Sequence, residues 1–529
     1  MVMKKIIIGF SLGIMIFLAA FISHLIFPFI EAVNSAISGE TGHILGFFGI
    51  FIVLIIVQAA IAYSLLKKKG IAEEVLASGK DNVATSKFAK QSEFKDFLGT
   101  DGLPISQKFR LSEKKSFEHY LLCGSTGSGK SASFFIPSLL QLPAHASVVV
   151  TDPKGELYMK TAQHALNQGK NVIAFSPFKS KTMKYNPLAL CRNASEVREL
   201  AQVLLANGNA AIEQMTGTKA GGSEWTNMAT PLLVAFMLFV YELDAPENTV
   251  AKALELITEN DLETLKLLIE DSTPEAQQQM NIFLQSAESE KTASSIKTVL
   301  ATSLQMFTDP LIQDITSLNE IDPKMLREQP THLYVMVPEH KSAFMSPLMS
   351  PFYSQLMNHL LETGKGCPIY FLMDEFANVG VIPNIDIILA ICRSRDMSIS
   401  LGIQSINQLK QRYNEAANTI LDNLKTKAFL PGLSYDSAEY ASKLLGFKEI
   451  KSVSTSFSQK NDNSYSVSAQ KRELLTPDEV RRLPDETILI ISDNRNGFMD
   501  KQQRYYKDKR LLALASQEIT VEEMLGEDE

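Results

Sequence analysis

Cysteine is scarce in this chain: Cys123, Cys191, Cys367 and Cys392 stand far apart, with no Cys-x-x-Cys pair and no histidine at metal-ligand spacing. That scatter excludes a disulfide framework and a zinc site, and it fits buried thiols in a reducing compartment. None of the eight histidines forms a His-Glu-x-x-His pair, so nothing supports a metalloprotease. An excess of positive charge is missing too. Lys and Arg number 51 against 59 Asp and Glu, a net charge of −8, so any contact with DNA requires a local patch or a channel. Tryptophan occurs once, as Trp225 at the head of an apolar helical stretch, where core packing is the plain reading. At 529 residues and 45% hydrophobic, the chain has material for three or four units at roughly 150 residues each.

Two long apolar runs are present. Residues 6–30 carry no charge apart from a possible proton on His24, and residues 44–66 carry none. At about 1.5 Å per helical residue, each run crosses roughly 30 Å of hydrocarbon. A cleaved signal peptide is the rival for the first run, but its length exceeds the roughly 7 to 15 residues of a signal core and no small-x-small site follows it. Lys4 and Lys5 precede the first run and Lys67, Lys68 and Lys69 follow the second, while the loop between them has Glu31 and Glu40 and no Lys or Arg. Two transmembrane helices with both ends in the cytoplasm are expected. Residues 231–241 are apolar but too short to span a bilayer, and read as a buried helix. A polar stretch over 70–116 reads as a stalk.

The chemistry begins at Tyr120-Leu-Leu-Cys123, an apolar strand that runs into Gly124, Ser125, Thr126, Gly127, Ser128, Gly129, Lys130 and Ser131. This is P-loop spacing. Glycines let successive backbone N–H groups face a phosphate chain, Lys130 reaches the β- and γ-phosphates, and Ser131 takes Mg²⁺. The following helix adds its positive end to the same anion site and is expected to kink at Pro137. Residues 146–156, with three consecutive valines before Asp-Pro-Lys-Gly-Glu, read as a buried parallel strand, a turn and the start of a helix. A later strand, 368–373, ends in Asp374 and Glu375. There Asp374 is expected beside the P-loop, holding the metal shell, and Glu375 polarises the attacking water. Another strand ends at Gln404, placed next to Asp374 to sense the γ-phosphate or orient water. Just before it, Arg393 and Arg395 read either as arginines reaching a neighbouring subunit's phosphate or as surface caps of the preceding helix.

Helical periodicity replaces strands between about 190 and 323, over 194–206, 225–242 and 294–307 for example, which reads as a helical insertion. Residues 451–470 read as a polar hairpin or a flexible loop. Residues 516–529 hold six acidic and no basic side chains, either a solubilising end or a docking peptide.

The chain resembles the type IV coupling proteins of the TraG/TraD kind. The resemblance is carried by Thr151-Asp-Pro-Lys-Gly-Glu-Leu157, Tyr185-Asn-Pro-Leu188, Glu224-Trp-Thr-Asn-Met-Ala229, Leu372-Met-Asp-Glu-Phe-Ala-Asn378, Arg393-Ser-Arg395, Gly402-Ile-Gln-Ser-Ile-Asn-Gln-Leu409 and Leu474-Leu-Thr-Pro-Asp-Glu-Val480, besides the P-loop and the two spans. It implies an α/β fold: a RecA-like P-loop ATPase over 117–189 and 324–515, an all-α domain over 190–323 and a membrane anchor over 1–69. It also implies a homohexamer in a bacterial inner membrane, ATP and Mg²⁺ as cofactors, and a trans-acting arginine at Arg393 or, failing that, Arg395. Its partners would be a relaxase or effector protein, single-stranded DNA and the components of a type IV secretion channel. One departure is Asp396, where relatives often have glycine. A protein-only docking receptor and a chromosome DNA pump are the competing readings. The pump usually adds further spans and a small DNA-reading domain that nothing here matches.

Overall fold

The computed structural model describes residues 84–520 except 95–97, 180, 218–222, 288 and 457–463. The two expected membrane spans, residues 70–83 of the stalk, the tip of the 451–470 hairpin and residues 521–529 of the acidic tail lie outside the described residues. Among those described, no helix is long and apolar enough to cross a membrane.

The strands are β1 (Tyr120–Cys123), β2 (Ser147–Thr151), β3 (Asn171–Phe175), β4 (Thr331–Val335), β5 (Ile369–Met373), β6 (Met397–Ile403), β7 (Thr426–Phe429), β8 (Phe447–Ser456), β9 (Ser464–Glu473), β10 (Thr487–Ser492) and β11 (Phe498–Lys501). Nine of them form one sheet in the order β11-β10-β7-β1-β6-β5-β2-β4-β3, and β8 pairs with β9 in an antiparallel hairpin. From β7 to β3 every neighbour is parallel; β10 and β11 close one edge antiparallel. The fold is therefore mixed α/β around a large parallel sheet.

Both faces of this sheet are covered, which is why its strands read as unbroken apolar runs rather than alternating ones. Val148 and Val150 enter one buried cluster and Val149 the other; Leu122 and Leu121 divide the same way. Between β3 and the short helix Met325–Glu328, the described residues hold helices and loops and no strand. Several of these helices start where the sequence supplies a cap: the side chains of Asn193, Thr249, Asp261, Thr273 and Ser289 each accept a backbone N–H of the first turn. Helix Ser223–Tyr241 takes in residues 231–241, buries Leu232–Leu238 and Val240, and starts two residues before the half-buried Trp225. The buried side chains of these helices belong to the same cluster as Leu121, Val149 and Phe371 of the sheet, so the helical segment packs directly on one sheet face.

The helix after the P-loop differs from a simple kink at Pro137. It opens as a wide π-turn over Ser131–Phe135, with Ile136 N–H donating to Ser131 O, and becomes α-helical over Ile136–Gln141. Proline has no N–H and crowds the carbonyl four residues back, so the widened turn lets the chain pass Pro137 and keep its direction.

Candidate active site

In the parallel part of the sheet, β1, β2, β5 and β6 all deliver their C-terminal ends to one edge, where polar side chains and loop backbone converge. A cleft of about 220 Å³ opens there, lined by Ser125, Thr126, Gly127, Gly129, Lys130, Ser131, Asp152, Lys154, Asp374, Glu375 and Gln404 among others. Gly124 and Ser128 shape the loop instead of lining the cleft. Gly124 N–H donates to Ile403 O at 3.1 Å, and Ser128 Oγ donates to Ser125 O at 2.6 Å. Gly127 and Gly129 have φ of 77° and 93°, a backbone that residues with a Cβ rarely adopt, and these turns hold the loop open toward the cleft.

Strand β6 lies between β1 and β5, so Asp374 comes to the P-loop, where the sequence places it, from two strands away. The helix after the loop closes the gap: Ser131 Oγ donates to Asp374 Oδ2 at 2.7 Å. Gly402 makes this approach possible, since a Cβ there would stand 2.9 Å from Phe135 Cζ and 3.2 Å from Asp374 Oδ1. Gln404 follows the last residue of β6, which lies beside β5, and lines the cleft. Lys130 is buried, donates to Gly124 O at 2.9 Å and stands 3.7 Å from Glu375 Oε2. Glu375 itself is buried with φ 59° and ψ 51°, a left-handed turn that swings its side chain off the strand direction.

Burial pushes the Asp374 carboxyl up to about 6, against the pull of the Ser131 hydroxyl and Lys130. It pushes Asp152 up to about 7, with Asp374 adding to the rise and the N–H groups of Tyr158 and Leu157 opposing it. Two buried carboxyls and a serine hydroxyl are hard oxygen donors in one cleft, a set suited to a small divalent cation beside phosphate.

The family model described as Type IV secretory system Conjugative DNA transfer matches residues 63–527. The chain belongs to this family. Protein VirD4 of Rhizobium radiobacter is 29% identical over 423 residues, covering 76% of this chain and 59% of its own length. Conjugal transfer protein TraG of Escherichia coli is 26% identical over 419 residues, covering 71% of this chain and 64% of its own. The chain thus spans about three fifths of the length of these relatives. Among solved structures, the bacterial conjugative coupling protein TrwBdeltaN70 in its unbound form matches with a TM-score of 0.62 at 17% identity, over 80% of this chain and 94% of that one. TrwB in complex with ADP and Mg²⁺ matches with a TM-score of 0.59 at the same identity. At that identity the likeness is one of fold.

In this member of the family, Arg393 does not line its own cleft. It precedes β6, whose other end carries Gln404, so it lies at the opposite edge of the sheet, where Nη2 contacts Glu118 Oε1 at 2.9 Å and the side chain is half exposed. Arg395 offers its carbonyl to Arg327 Nη2 at 2.6 Å. Asp396 takes φ 52°, the left-handed turn that glycine adopts without strain. Four charged cleft residues were not assigned from the sequence: Asp152, Lys154, Glu156 and Glu339. Asp152 was findable, because an apolar strand ended by an acid marks it as it marks Asp374. Glu339 comes from a turn after β4, and only the sheet order brings it to the cleft.

Proposed function

We propose that this chain is a membrane-anchored, hexameric, RecA-like ATPase that recruits relaxase-bound single-stranded DNA or an effector protein and couples ATP hydrolysis to its delivery into a type IV secretion channel. The reading is supported by the convergence of Lys130, Ser131, Asp374 and Glu375 in one cleft of a chain in the conjugative DNA transfer family. The P-loop N–H groups and Lys130 hold the phosphates of ATP. Ser131 and Asp374 would hold Mg²⁺, which supplies charge neutralisation at the β- and γ-phosphates. Glu375 takes a proton from water as the water oxygen bonds to the γ-phosphorus; the bond to the bridging oxygen breaks and ADP departs with that electron pair. Gln404 orients the water. Arg393 reaches the cleft of the next subunit, consistent with its absence from its own.

The test uses the full-length protein. Lys130→Ala abolishes turnover, whereas Glu375→Gln keeps ATP binding and blocks hydrolysis, because the metal and phosphate contacts remain. Wild-type turnover in Lys130→Ala overturns the assignment. Stimulation by single-stranded DNA supports DNA as cargo, and its absence with stimulation by an effector leaves a protein-only receptor.

A further inference from the structure

Glu375 is turned away from its strand by a left-handed backbone, so something other than the sheet must aim its carboxylate. The helix Ile406–Tyr413, which begins two residues after Gln404, runs as a splint along the loop that follows Glu375. Gln408, in its first turn, donates Nε2–H to Glu375 Oε1 at 3.5 Å. One turn on, Arg412 Nη2 donates to Ala377 O at 3.0 Å. Tyr413 stacks on Phe376 with ring planes 4° apart at 5.5 Å, and its hydroxyl accepts Ile382 N–H at 3.2 Å.

The amide of Gln408 has two ends with different duties. Its Oε1 accepts Gln404 N–H at 3.2 Å, and because that partner is only a donor, the amide oxygen must face it and the NH₂ must face Glu375. Meanwhile Ser405 Oγ accepts Gln408 N–H at 3.2 Å, completing the helix cap. The acceptor end therefore holds the backbone just before the cap, and the donor end is left for the carboxylate. Glu375 Oε2 faces Lys130 at 3.7 Å, so the two carboxylate oxygens have different partners. Lys130 is drawn toward phosphate when nucleotide binds, and Gln408 then remains to hold the carboxylate. Hydrogen bonds of this sort are often long without substrate and tighten in the complex.

We propose that Gln408 is a positioning residue for Glu375, fixing the carboxylate that takes the water proton and tying it to the backbone of Gln404. The inference rests on the reading of Glu375 as that base. Glutamate at 408 keeps the acceptor and removes the donor; methionine keeps the size and removes both. In the full-length protein, kcat falls on the order of 10- to 100-fold in Gln408→Glu and in Gln408→Met, while KM and Kd for ATP stay within about twofold. Tm falls in both variants, through the lost acceptor in Gln408→Met and through the like charge set beside Glu375 in Gln408→Glu. The double variant Glu375→Gln with Gln408→Glu turns over no more slowly than Glu375→Gln alone.

A wild-type kcat in Gln408→Glu overturns the proposal, because only the acceptor is kept in that variant. Losses that multiply in the double variant overturn it too, since they assign the residues independent roles. If Glu375→Gln loses turnover and Gln408→Glu does not, the positioning role alone falls. If Glu375→Gln itself turns over normally, the base reading falls and takes this proposal with it.

Discussion

His119 sits just before β1 with φ 67°, buried where Arg393 also anchors. Its Nδ1 accepts Ile399 N–H at 3.0 Å and its Nε2–H donates to Leu389 O at 2.7 Å, an arrangement that requires the neutral ring. Burial lowers it to about 4, with Arg393 and Lys425 adding to the fall. A depressed pKa stabilises the fold above the unfolded value, roughly 6.5, and that contribution is lost as pH falls toward 4; the difference is on the order of 3 kcal/mol. His119→Asn keeps a donor and an acceptor and tolerates the left-handed turn. Thermal unfolding from pH 7.5 to 4.5 should show a shallower acid loss in this variant. Parallel curves would remove His119 as the cause. Asp152 and Asp374 have the opposite sign: raised to about 7 and 6, they cost stability as pH rises from about 4, and that slope is common to both proteins. None of this could be read from the sequence, where a lone histidine before a strand has no distinctive spacing.

At the scale of elements, close approaches decide what composition leaves open. Helix Ala194–Thr216 crosses helix Glu290–Ser303 at Gly208, where a Cβ would stand 2.1 Å from Ser303 O. Alanine at a helix interior gains up to about 1 kcal/mol in propensity, but the obstacle here is backbone, which yields only by parting the two helices. Gly208→Ala should therefore destabilise, by about 1–3 kcal/mol in denaturant unfolding. A gain in stability would mean that the crossing adapts. The start of the acidic tail also has a place: Gln517 accepts Asn167 Nδ2–H at 2.7 Å, Glu518 pairs with Lys160, and Ile519 packs against the buried cluster on that face. The sequence left residues 516–529 as either a solubilising end or a docking peptide. The first of them dock on helix Glu156–Asn167, because a few apolar and pairing side chains precede the main acidic run. Removal of residues 521–529 should lower binding to a basic relaxase or adaptor in a salt-dependent pull-down and leave ATP turnover intact. Equal binding at every salt concentration would make those residues a solubilising end.

For the whole molecule, the arrangement of Arg393 makes the ring reading testable. The arginine stands at one edge of the sheet and the cleft at the other, so on the ring reading each junction would combine one subunit's P-loop with its neighbour's arginine. Mixing full-length Arg393→Ala and Lys130→Ala subunits should restore part of the hydrolysis, since some junctions receive both intact groups. No recovery at any ratio, in rings shown to be mixed, would assign Arg393 to the surface pair with Glu118.

The sequence by itself determined the P-loop, the acid pair at 374–375 and Gln404, because each lies at the end of an apolar run and local spacing carries its chemistry. It determined the strands that are buried on both faces, since three valines in a row need no partner to be recognised. The tertiary structure alone decided that β6 stands between β1 and β5, that Ser131 still reaches Asp374 across it, and that Glu339 arrives from a distant turn. It also decided which side chain aims Glu375. Strand order and left-handed backbone turns are set by which faces find cover, a property of the packed chain that no stretch of residues carries alone.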